Sequence, residues 1–122
     1  MNKEKLIRDL CARLPYGVKV LYDNKVFSID YVSSIHEEIK LDTRDNYTIN
    51  VSDVKPYLFP LSSMTEEQKM FLKQQNWCIA ISTSGTVETT VEGIDWLDKN
   101  HFDYRNLIQM NLAIDATGLN IY

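Results

Sequence analysis

The apolar pattern of this chain changes from helical to strictly alternating at Pro15-Tyr-Gly17, and it then alternates through several short runs. Before the switch, Leu6, Ile7, Leu10, Cys11 and Leu14 form one helical stripe, which predicts an amphipathic helix over residues 3–14. Asn2 can cap it. Glu4–Arg8 and Asp9–Arg13 are i,i+4 pairs in the favourable order, expected on its wet side. After the switch, Val18, Val20 and Tyr22 alternate with Lys19 and Leu21, and Phe27, Ile29 and Tyr31 with Ser28 and Asp30. Ile35, Ile39 and Leu41 share a face, as do Tyr47, Ile49 and Val51. Asp23-Asn24, Ser33-Ser34 and Arg44-Asp45-Asn46 punctuate these runs as turns. Strands joined this tightly must be antiparallel, because parallel neighbours need crossovers of roughly a dozen residues.

Ser52-Asp53 can begin a single helical turn. Lys55 is pushed toward extended backbone by Pro56, so Tyr57-Leu58-Phe59 is expected to add a fifth strand. The fold class is therefore α+β: an N-terminal helix, a small curved antiparallel sheet or SH3-like barrel, then short helices with an extra hairpin. The chain reads as a single domain over 1–122, β-rich over 15–60 and helical with a hairpin over 61–122. A second helix is expected from Thr65, where Thr65-Glu-Glu-Gln68 has capping-box form and Glu66 and Glu67 suit the positive helix end. Residues 76–92 read two ways. Trp77, Ile79 and Ile81 alternate, as do Val87, Thr89 and Val91, which with Ser84-Gly85 makes a hairpin. Met70, Phe71, Trp77, Cys78 and Ile81 also continue a helical stripe. β-Branched content and Gly85 favour the hairpin. Gly93–Asn100 is a predicted helix burying Ile94, Leu97 and Trp96, and Asp103 is placed to cap a last helix from Tyr104 to about Asn111. These last two helices are too short to stand alone, so they are expected to dock on the β half, with Arg105 pairing with a nearby carboxylate such as Asp103.

Charge narrows the function classes. Residues 1–60 carry nine Lys/Arg and nine Asp/Glu, so the whole net charge of −4 comes from residues 61–122, with four against eight. A phosphate backbone requires clustered cations, whereas Lys3, Lys5, Arg8 and Arg13 are interleaved with Glu4 and Asp9. Nucleic-acid binding is disfavoured. No apolar run reaches the ~18 residues that span a bilayer, and the N-terminus leads into an amphipathic helix rather than a signal peptide. A cytoplasmic protein is expected, in which Cys11 and Cys78 are buried, reduced and unreactive. The sequons at Asn46-Tyr-Thr48 and Asn50-Val-Ser52 are then chance matches.

Catalytic chemistry has little to work with. His36, expected to begin a strand beside Glu37 and Glu38, reads as a surface residue, with no cysteine or second histidine at ligand spacing. His101-Phe-Asp103 offers two metal-ligand types, but Asp103 is better used as a cap. Glu92, Asp95, Asp98 and Asp103 form an acidic cluster around the short helix. Asp95 and Asp98, at i,i+3, read as one solvated face. With four glycines in all there is no phosphate-binding or dinucleotide loop, and no nucleophile elbow is present. No enzyme, cofactor or metal site is predicted.

Seven of the aromatic residues fall in residues 1–60: Tyr16, Tyr22, Phe27, Tyr31, Tyr47, Tyr57 and Phe59. Small barrels use such rings as recognition surfaces, and equally as packing with hydroxyls at the rim. A second aromatic group, Trp96, His101, Phe102, Tyr104 and Arg105, supplies the candidate interaction residues. The expected function is a non-enzymatic protein-interaction module with a protein partner. A nucleic-acid-associated accessory protein using the small barrel is the alternative.

Several segments are distinctive together: Leu14-Pro-Tyr-Gly-Val-Lys19, Val54-Lys-Pro-Tyr-Leu58, Pro60-Leu-Ser-Ser-Met-Thr-Glu-Glu67, Ile94-Asp-Trp-Leu97 and His101-Phe-Asp-Tyr-Arg105 with Leu107-Ile108. They resemble a family of small uncharacterised proteins found in prophages and mobile elements of gut bacteria. The matching pieces span most of the chain, and 76–92 matches least. The resemblance implies a phage-derived cytoplasmic setting and carries over no catalytic residue.

Overall fold

A computed structural model describes residues 2–43, 48–81 and 87–122, with side chains described outside 78–81 and 87. Helix α1 (Asn2–Arg13) buries Leu6, Ile7 and Leu10, as the stripe predicts. Its buried face also takes in Asp9 and Arg13, both 0% exposed, rather than leaving that pair in water. The stripe is centred on Leu6, Leu10 and Arg13, spaced by four and three residues, so Cys11 is turned roughly 100° away and is exposed. A 3-10 turn over Leu14–Tyr16 ends on Gly17, whose φ of 72° is a left-handed conformation that favours glycine.

Strands β1 (Lys19–Tyr22) and β2 (Lys25–Ser33) form a hairpin through Asp23 and Asn24, both at positive φ. Such two-residue turns match the twist of the strands they join. A register shift between Ile29 and Tyr31 lets β2 pair with β1 in its first half and β3 (Glu38–Leu41) in its second. The turn before β3 runs through residue 37, where Glu37 has φ 55°. His36 thus lies in the turn, not in the strand, and Ile35, 88% exposed, is off the face of Ile39 and Leu41. β4 (Ile49–Asn50) leads into a 3-10 turn over Val51–Asp53, capped by the Asn50 side chain, and β5 (Lys55–Pro60) returns beside β1. Val51 therefore belongs to that turn. Tyr47 and the predicted turn at 44–46 lie outside the described residues.

The first five strands run in the order β4-β3-β2-β1-β5, all antiparallel. β5 also takes two short parallel neighbours, β8 (Phe102–Asp103) and β9 (Ile114–Asp115). The result is an open mixed sheet, not a closed barrel. α1 covers it, burying Leu6 and Leu10 against Val18, Val20, Ile39, Val51 and Leu58.

α2 (Glu66–Gln74) carries the expected capping box, with Thr65 Oγ1 accepting from the Gln68 N–H and the Gln68 side chain accepting from the Thr65 N–H. β6 (Cys78–Ile81) and β7 (Val87–Thr89) pair antiparallel, which decides residues 76–92 in favour of the hairpin. The turn expected at Ser84-Gly85 lies outside the described residues. α3 (Val91–Lys99) starts two residues earlier than Gly93, because Thr90 rather than a later residue caps it. Gly93 is required by close approach: a Cβ there would lie 1.9 Å from Thr89 Oγ1 and 2.5 Å from the Trp77 carbonyl oxygen. Leu72 and Leu97 join Leu61, Met64 and Phe102 in a second core between α2, α3 and the sheet edge.

The helix expected over 104–111 does not form; the segment is a series of turns. Asn106 and Asn111 adopt φ of 62° and 61°, which a right-handed helix does not allow. Asp103 does cap backbone, accepting from the N–H groups of Leu107 and Ile108 at 3.0 and 2.9 Å, but it does so from β8.

Candidate functional site

Two side-chain assemblies flank Phe102. The first is a buried charge cluster. Arg13 Nε donates to Asp9 Oδ2 at 2.9 Å and lies 3.9 Å from Asp98 Oδ1, while its Nη2 donates to the Phe102 carbonyl. Tyr104 donates its hydroxyl to Asp98 Oδ1 at 2.8 Å, and Arg105 Nη1 bonds Asp9 Oδ1 at 3.2 Å. The guanidiniums of Arg13 and Arg105 lie 5.3 and 4.9 Å from the Tyr104 ring centroid, within cation–π range. Burial raises the Asp9 carboxyl above its ordinary value, opposed by the two arginines. Burial and the bond to Asp98 raise the Tyr104 phenol.

These contacts correct two expectations. Asp95 and Asp98 do not share a solvated face: Asp95 is exposed, whereas Asp98 is 3% exposed because Arg13 and Tyr104 claim it from the core side. Arg105 pairs with Asp9 and not with Asp103, whose oxygens already serve the Leu107 and Ile108 N–H groups.

The second assembly is an open cleft of about 550 Å³ between β5, α2, α3 and the C-terminal segment. Phe59, His101, Phe102 and Tyr122 line one side. The Tyr122 ring stacks on His101 with centroids 3.7 Å apart and planes 11° apart, and it sits 5.9 Å from Phe59. Its hydroxyl donates to the Tyr57 carbonyl at 2.7 Å and accepts from the Lys19 N–H at 2.9 Å, which ties the C-terminal segment to β1 and β5. Burial pushes the Tyr122 phenol up to about 12. Behind this wall, Phe102 stacks on Trp96 (5.7 Å, 10°), and Trp96 on Phe71 (6.2 Å, 30°). The rest of the lining is polar: Ser63 ahead of α2, Thr65 and Gln68 at its start, Lys99 and Asn100 at the end of α3, and Thr117.

His101 holds its place by unusual backbone. At φ 64° it turns the chain from α3 into β8, donating its N–H to the Asp98 carbonyl and accepting from the Phe59 N–H. The side chain is 9% exposed. Burial, then the charges of Arg13 and Lys19, push the imidazole pKa down to about 4, so it is neutral near pH 7.

Of the five candidate interaction residues, the structure brings His101 and Phe102 to the cleft, with Trp96 stacked behind them. Trp96 is half-buried rather than fully buried, since it lies between the Phe71 and Phe102 rings at the edge of the second core. Tyr104 and Arg105 belong to the charge cluster instead. The early aromatics separate: Tyr57 is buried, Tyr22 and Phe27 pack on the main core at 6.3 Å from one another, Tyr31 is exposed, and Phe59 alone of them lines the cleft. Tyr122, Asp9 and Arg13 carry much of this geometry without a local signal in the sequence beyond their residue types. Among the described residues, no group of three or more His, Cys, Asp or Glu side chains is placed to hold a metal ion, and no helix is long and apolar enough to cross a membrane. No protein-family model, curated protein or solved structure matches the chain.

Proposed function

We propose that this chain is a non-enzymatic protein-interaction module, acting in the cytoplasm in the phage or mobile-element setting that its resemblance implies. It takes a peptide segment of its partner in the cleft between β5, α2, α3 and the C-terminal segment. The β half, with its order β4-β3-β2-β1-β5 and a 3-10 turn before β5, serves as an open SH3-like scaffold.

The observation that carries the reading is the cleft's mixed aromatic and polar lining. Rings of Phe59 and Tyr122 offer apolar area to a side chain, and the Lys99, Gln68 and Thr117 side chains offer donors to peptide carbonyls. Of the described lining residues none is a carboxylate, and an imidazole with pKa about 4 is a weak base at neutral pH. The buried carboxylates Asp9 and Asp98 are instead paired in the interior with Arg13. This favours binding over catalysis.

Capture from host extract with the intact chain and two cleft variants tests the reading. Thr117→Trp fills the cleft from an exposed position, and Lys99→Glu reverses its one formal charge among the described lining residues. The expected outcome is a protein retained stoichiometrically by the parent and lost by both variants, with unchanged circular dichroism. Retention of the same protein by both variants would contradict the assignment. So would recovery of nucleic acid in place of protein.

A further inference from the structure

We propose that a second cleft, between α1 and the turns that follow β8, is a binding site for a phosphomonoester group. This site is separate from the peptide cleft and stands without it. Its lining is Glu4, Lys5 and Arg8 of α1 together with Arg105, around a volume of about 380 Å³. Lys5 and Arg8 are i,i+3 neighbours on one helix face. Arg105 is brought to them from the far end of the chain by its bond to Asp9 on the same helix.

Three cations line the cleft against one carboxylate, and with Arg105 already paired to Asp9 the surplus rests on Lys5 and Arg8 against Glu4, in a chain whose net charge is −4. A cation without an acid partner is costly where it is partly buried, and Lys5 is in that position, with the exposed Arg8 beside it. The Lys5 ammonium is half-buried and its acceptor is the Met110 thioether sulfur at 3.7 Å, a weak one. Among the described residues, no carboxylate lies within ion-pairing distance of Lys5 or Arg8, although Glu4 stands one helical turn from Arg8. The third cation is held ready: Arg105 spends one nitrogen on Asp9 and lies against the Tyr104 ring, which fixes its plane before any ligand arrives.

The unmet charge identifies the ligand class. A phosphomonoester carries about −1.5 to −2 near neutral pH and presents three acceptor oxygens, enough for Lys5, Arg8 and the unspent nitrogens of Arg105 to donate to together. Guanidinium forks bind such oxygens in pairs, and a lysine adds a point charge. A carboxylate brings half the charge and two oxygens. The open cleft leaves room for an organic group beside the phosphate. That group belongs either to a phosphorylated side chain of a protein or to a small phosphorylated metabolite.

Calorimetric titration of the full chain with O-phosphoserine, inorganic phosphate and glutamate tests the site. The expected result is saturable one-to-one binding of O-phosphoserine that weakens with added salt. Glutamate should bind roughly tenfold more weakly, and both Lys5→Gln and Arg8→Gln should weaken O-phosphoserine roughly tenfold, a factor typical of one lost charge-assisted contact. Neither substitution removes an ion pair seen among the described residues, so the fold is retained and circular dichroism checks it. Two further titrants separate the sources: a phosphoserine peptide binding more tightly than the free amino acid indicates a protein, and a sugar phosphate doing so indicates a metabolite. Absence of saturation at millimolar concentrations, glutamate binding as tightly as O-phosphoserine, or unchanged affinity in both variants would overturn the proposal.

Discussion

Replacing Arg13 with methionine should be among the most damaging single changes this fold can suffer. The side chain is 0% exposed, and it faces Asp9, also 0% exposed, and Asp98, 3% exposed. Methionine has similar length and packs well, so the cost comes from the charges left behind. Asp9 would keep its bond to Arg105, and Asp98 its bond from Tyr104, but both lose the cation between them. Removing one partner of a buried ion pair costs about 3–5 kcal/mol. With a melting entropy of ~2.1 cal/mol/K per residue, a chain of 122 residues loses roughly 12–20 °C in melting temperature. Thermal unfolding followed by circular dichroism measures this. Adding Asp9→Leu to Arg13→Met should recover part of the loss, with a coupling of about 2 kcal/mol, because the buried carboxylate is then gone. A drop under ~3 °C for the single variant, or strict additivity in the pair, refutes the claim that burial without compensation sets the cost.

Three further outcomes follow from the same geometry. Protonation of His101 is disfavoured in the folded state, so its contribution to stability is lost as pH falls from its ordinary 6.5 toward about 4; His101→Asn, which tolerates the positive φ, should flatten the chemical-denaturation profile across that window, and an unchanged slope would show that the imidazole does not titrate this way. Trp96→Ala removes a half-buried ring stacked on Phe102 and Phe71 and should cost about 2–3 kcal/mol, below the range for a fully buried tryptophan; a melting temperature within a degree of the parent's would show that the stack contributes little. Cys11 is exposed and should be labelled by a thiol reagent without denaturant; complete protection would contradict the assigned helix rotation.

The parts legible in the sequence were those governed by local rules. The helix α1 with its Leu6, Ile7 and Leu10, the Asp23-Asn24 turn, the break at Gly17 and the capping box at Thr65 are each set by a few neighbouring residues and stand where the pattern puts them, although the stripe turns Cys11 out and Asp9 and Arg13 in. The errors lie where a distant partner decides. Asp9 and Arg13 read as a surface pair because i,i+4 spacing is common on wet helix faces. What draws them inward is Asp98, Arg105 and the Phe102 carbonyl, all some ninety residues away. The parallel additions β8 and β9 are two residues each and carry no alternation to detect. The helix expected over 104–111 yields to asparagines in left-handed conformation, which sequence pattern alone does not distinguish from ordinary helical polar positions. The cleft was half visible for a related reason. His101 and Phe102 stand out by type, but Tyr122 and Phe59 join them only through the pairing of β5 with β8 and the anchoring of the C-terminal segment.

Peptide recognition in the aromatic cleft is most directly tested by amide chemical-shift mapping of the isotope-labelled chain against its captured partner. Shifts should concentrate at Phe59, Thr65–Gln68, Lys99–Phe102, Thr117 and Tyr122, the residues around the cleft. Perturbations confined instead to the exposed β2 residues Val26 and Tyr31, or to Met70 and Val91, would place the interaction elsewhere and contradict the account.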